Sequence, residues 1–66
     1  MFVKISQKEI VNISIYKSVY LSAECLCFHG DAHNFETLEN AEKAFNLICE
    51  ALSQGKTYLD LTKHIP

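Results

Sequence analysis

Two cysteines, two histidines and an aspartate fall within the ten residues ECLCFHGDAH, positions 24–33. Three kinds of chemistry use such residues: a metal centre, a thiol pair, or a nucleophile with its base. For a metal, Cys25, Cys27, His29 and His33 supply the donors, and zinc is the ion they suit. His-x₃-His at 29 and 33 fits one hook of a structural zinc site, but Cys-x-Cys is tighter than the Cys-x₂₋₄-Cys of the other. For a disulfide, Cys25 and Cys27 on an extended strand hold their α-carbons about 6.7 Å apart, the limit for such a bridge. For nucleophilic catalysis, Cys27 and His29 need an orienting group and an oxyanion site, and no motif supplies them. The simplest reading is a strand running into a turn, with the cysteines acting as small hydrophobes. No catalytic residues are expected, the protein is not read as an enzyme, and no cofactor is expected beyond the zinc option.

These residues can be positioned only by the elements around them. On a strand over 25–29, Leu26 and Phe28 share one face while Cys25, Cys27 and His29 share the other. His33 lies beyond a turn at Gly30–Asp31 and could fold back toward them. Upstream, Val3 and Ile5 alternate with Lys4, and alternation resumes through Val11, Ile13 and Ile15 and then Val19 and Leu21. This period of two, in β-branched and aromatic residues, predicts strands over 2–5 and about 10–22, the second kinked near Lys17. A further strand is expected over 35–38. Short connections make the neighbours antiparallel.

The period changes to 3.6 over Asn40–Gln54. Ala41, Ala44, Phe45, Ile48, Ala51 and Leu52 fall on one stripe, with Glu42, Lys43, Asn46, Glu50, Ser53 and Gln54 opposite. Asn40 is the expected cap, and Gly55 suits the left-handed position after the last turn. Leu47 and Cys49 widen the apolar arc to about 200°, where about 100° suffices for docking on one sheet. The expected fold is therefore α+β: an antiparallel meander of three to four strands followed by one amphipathic helix on one face. The tail, 56–66, carries Tyr58, Leu59, Leu61 and Ile65. It returns to a sheet edge as an extra strand or reaches into a neighbouring copy.

Size and charge narrow the function. A chain of 66 residues forms a single small domain and hides only about 60% of its unfolded surface, a deficit that oligomers, metals or disulfides commonly repair. With 48% apolar and 21% charged residues, it is suited to a folded globule. Three cysteines are too few and odd in number for a secreted disulfide framework, and no signal-peptide core or membrane span is legible, so a cytoplasmic protein is expected. Lys4, Lys8 and Lys17 against Glu9 leave residues 1–22 basic; Glu24, Asp31, Glu36, Glu39, Glu42 and Glu50 against Lys43 leave 23–54 acidic. Arginine is absent, which makes nucleic acid an unfavoured partner. The acids at 36, 39 and 42 suit a helix N-terminus and could also steer a basic partner.

The general layout, a meander followed by LENAEKAF opening a helix, resembles many small bacterial and phage proteins. That resemblance brings no functional residues with it. The leading expectation is a cytoplasmic protein-interaction module, homo-oligomeric, of the kind that regulates or inhibits a host protein. Its contact residues would be Tyr16 and Tyr20 on the alternating row, Leu47 and Cys49 at the helix margins, and Tyr58 in the tail. The alternatives are a metal-binding or thiol-reactive protein using Cys25, Cys27, His29 and His33, and a small-ligand site in a dimer cleft.

Overall fold

The alternation at the N-terminus builds β1, Phe2–Ser6, which turns through Gln7 and Lys8 into β2, Glu9–Asn12. The computed structural model describes residues 1–28 and 30–65. The long strand expected over 10–22 is divided. A 3₁₀ turn at Ile13–Ile15 intervenes, opened by Asn12, whose side chain accepts from the Ser14 N–H at 3.1 Å. That turn buries Ile13 without continuing the ladder. The chain then resumes as β3, Val19–Ser22, and β4, Cys25–Phe28.

Asp31, expected in a turn with Gly30, instead opens a strand not anticipated from the sequence: β5, Asp31–Asn34, pairs antiparallel with β4. Asp and Asn disfavour strands intrinsically, but strand formation follows pairing and packing more than propensity, and the ladder with β4 decides here. The strand expected at 35–38 is absent. Phe35 is buried as a plug, Glu36 takes φ +75°, and Thr37 already caps the helix. The helix α1 is thus Leu38–Ser53, beginning two residues before the expected start. Thr37 Oγ1 accepts from the Asn40 N–H at 3.1 Å, and Asn40, the expected cap, instead donates its side-chain amide to the Phe35 carbonyl at 3.4 Å. The helix ends as Gly55 requires. Gly55, at φ +70°, donates to the Leu52 carbonyl and Lys56 to the Ala51 carbonyl, which is the Schellman arrangement.

The tail stays with its own chain. Strand β6, Tyr58–Asp60, lies parallel to β1, and a 3₁₀ turn at Leu61–Lys63 brings Leu61 and Ile65 into the core. Two three-stranded sheets result, ordered β2-β1-β6 and β3-β4-β5, with α1 packed over β3 and β4. This is the expected α+β meander with one helix. Val3, Ile5 and Leu59 from the first sheet meet Leu26 and Phe28 from the second and the alanines of the helix. A Cα radius of gyration of 10.7 Å matches the roughly 10.8 Å usual for this length, so among the described residues no arm extends from the protomer.

Two strained or polar details generate tests. Ala23, in the two-residue β3–β4 turn, has φ +52°, where a Cβ costs about 1–2 kcal/mol. Ala23→Gly removes that strain and loses about 0.4–1 kcal/mol through the looser unfolded chain, so a net gain of about 0.5 kcal/mol is expected. An urea midpoint that falls instead would refute the strain. Asp60 accepts from the Thr62 hydroxyl and from the Thr62 N–H at 2.9 Å, and these bonds hold its carboxyl below the usual carboxylate range. A lowered folded-state pKa contributes stability above the ordinary carboxylate range, lost as pH falls through the folded value. Asp60→Ala should lower the melting temperature at pH 7, with the difference shrinking toward pH 3. A constant difference across that window would contradict it.

Candidate functional site

The register of β4 decides where the cysteines and histidines lie. Tyr20, Cys27 and Ala32 are opposite one another across β3, β4 and β5, as are Ser22, Cys25 and Asn34. Directly paired residues share a sheet face, so these six form the outer face. Leu21, Leu26 and His33 form a row on the inner face, next to the row of Val19, Phe28 and Asp31. Cys25 and Cys27 are therefore together, half-buried, while His33 is on the other side of the sheet. The fold-back of His33 toward the cysteines does not occur, because Asp31–Asn34 extends as a strand paired with β4 and sets His33 opposite Leu26. His29 lies outside the described residues. Among the described residues, no three His, Cys, Asp or Glu side chains are grouped to hold a metal ion. All three cysteines are free thiols.

His33 belongs to a different site, one not anticipated from the sequence. Its ring meets Phe35 edge-on at 4.7 Å, and its Nδ1 lies 3.8 Å from Oε1 of Glu9. Here β5 approaches the β1–β2 hairpin, and the 3₁₀ turn of the tail closes a cleft of about 310 Å³. Ile5, Phe35, Leu61 and Ile65 give it apolar walls, while Gln7 and Glu36 are polar members of its lining. Glu36 is fixed in its left-handed conformation by donating its N–H to Asn34 Oδ1 at 2.6 Å. The volume is at the lower end of small-molecule sites, about 300–1,000 Å³. Such a cleft accommodates one small apolar group. The signal for it in the sequence was the apolar tail, whose docking site could not be read.

The expected contact residues separate into two groups. Tyr16 leaves the alternating row and packs on Phe28, with ring centroids 5.4 Å apart, and Leu47 is half-buried against the core. Tyr20, Cys49 and Tyr58 are exposed. Two further surfaces were missed. On the outer face of the first sheet, Phe2 is directly opposite Tyr58 and diagonal to Ile10, each about half exposed (49%, 49% and 54%). On α1, Leu52, assigned to the packed stripe, is 53% exposed, as is Leu38.

No protein-family model matches the chain, and neither does any curated protein or solved structure. Among the described residues, no helix is long and apolar enough to cross a membrane.

The thiols offer a direct check on this geometry. Under native conditions Cys49 should react with a thiol reagent first, and Cys25 and Cys27 more slowly, with three thiols per chain in total. Cys49→Ser should abolish the fast phase; a fast phase that persists would place a sheet cysteine at the surface.

Proposed function

We propose that this protein is a small protein-interaction module that acts by self-association, in a reducing compartment such as the cytoplasm. One observation carries the reading. After the tail has docked and the helix has packed, seven large apolar side chains among the described residues are still exposed. Isolated exposed apolar residues are ordinary, but clustered ones mark surfaces that bind. Here Phe2, Ile10 and Tyr58 form one cluster by strand register, and Leu38 and Leu52 recur along one helix. The three free thiols support the reducing compartment. The role is binding rather than catalysis, and it needs no metal.

Sedimentation equilibrium across a hundredfold range of concentration tests this. Reversible association is expected, and a strict monomer at millimolar concentration would overturn it. A second reading has the cleft beside His33 as support: a small apolar ligand held between Phe35 and Ile65. A thermal-shift screen with small aliphatic and aromatic compounds checks it, with Ile65→Asp as the control that should abolish any shift.

A further inference from the structure

We infer that two copies of this chain join along β3 about a two-fold axis, forming one six-stranded sheet with the two α1 helices side by side. The inference rests on the self-association reading and assigns its surface.

The hydrogen-bond pattern shows which strand can accept a partner. Phe35 donates its N–H to the Glu24 carbonyl at 2.9 Å. Alternation along an antiparallel ladder then directs the backbone groups of Leu26 and Phe28 to β5 and those of Cys25 and Cys27 to β3. On β3 it follows that Tyr20 and Ser22 bond inward, while Val19 and Leu21 direct N–H and C=O outward. The other outer strands carry the devices that blunt an edge. In β5 the Ala32 N–H is taken by the Asp31 carboxylate at 2.8 Å. The β6 strand has three residues and runs directly into a 3₁₀ turn. The β2 strand begins with Glu9, where its pairing with β1 shifts register. From Val19 to Ser22, β3 has no charge, no proline and no register shift.

The flanking charges select the partner. Lys17 precedes this edge and Glu24 follows it. In an antiparallel pair of β3 strands, Lys17 of each copy lies toward the end at which the other copy's β3 turns through Glu24 into β4, and this happens twice. In a parallel pair, like charges would oppose each other. The edge is self-complementary in one direction only.

The helix supplies the second contact. At 100° per residue, Leu38, Phe45, Cys49 and Leu52 fall within an arc of about 60°. Leu38, Phe45 and Leu52 recur every seven residues, the interval of a helix–helix seam. On this flank Leu38 and Leu52 are exposed and Phe45 is half-buried against the core; on the other, Ala51 is buried and Leu47 half-buried. The first sheet adjoins β5 through Glu9 and His33, whereas α1 lies over β3 and β4, so the flank turned from the first sheet is turned toward the open edge. The distances also agree. With strands about 4.8 Å apart, the axis passes about 2.4 Å outside β3, and a helix over the β3–β4 seam is about 4.8 Å from it. The two helices are then about 9.6 Å apart, within the 8–10 Å at which helices pack.

Sedimentation equilibrium of the full chain and of four variants tests the assignment, with circular dichroism at low concentration confirming that each variant folds. Lys17→Glu should weaken the dimer roughly tenfold, and the swap Lys17→Glu with Glu24→Lys should restore it. Leu52→Glu should weaken it roughly a hundredfold. A dimer insensitive to both Lys17→Glu and Leu52→Glu, or one lost only with Phe2→Lys, would overturn this surface while leaving self-association standing. A wild-type monomer would overturn both.

Discussion

Central strand β4 is the constraint from which the rest follows. Burying Leu26 and Phe28 fixes its register, because a slip of one residue would direct both to solvent and both cysteines into the core. Once that register is set, Cys25 and Cys27 face outward with Tyr20, and His33 faces inward with Leu26. The cluster that looks like a metal site in the linear sequence is thus divided by the sheet. The two faces of one sheet separate residues that are near one another along the chain.

A second consequence concerns closure. The first sheet cannot be completed by the N-terminal hairpin alone; β1 has β2 on one side and requires β6 on the other. The tail provides this strand and then turns to place Leu61 and Ile65 over the core. Asp60 links the two events, since it ends β6 and caps the following turn through Thr62. The cleft beside Phe35 lies where that turn meets β5. It is formed by residues 5–7, 33–36 and 61–65, three segments far apart in sequence.

What could be read from the sequence was whatever depends on local period. The helix, its C-terminal Gly55, β1 and the inward pair Leu26 and Phe28 all follow from spacing. Three things did not. Asn12 opens a 3₁₀ turn that leaves the alternation of Val11, Ile13 and Ile15 intact to the eye while breaking the ladder. The polar strand Asp31–Asn34 has no hydrophobic pattern and exists because β4 offers it hydrogen bonds. The helix start was misplaced because Thr37, a good cap, comes just after a glutamate with positive φ that no pattern announces. That last displacement also hides a pattern: a helix expected from 40 leaves out Leu38, and with it the seven-residue recurrence through Phe45 and Leu52.

The sizes of the helix side chains are inverted for a helix whose only task is to cover its own sheet. Three of its four buried residues are alanine (41, 44 and 51), and exposed positions hold Leu38 and Leu52. Alanine contributes little apolar area but permits the helix axis to come close to the strands. Leucine contributes more area per residue and is placed where the described residues leave about half of it uncovered. Intrachain stability alone favours the opposite arrangement. The inversion is what a short chain needs if it is to hold its helix tightly against a three-stranded sheet and still retain area for association. If a second copy covers that area, folding and assembly are thermodynamically linked: apolar area withheld from the monomer then stabilises the folded state only in proportion to how fully the partner is bound.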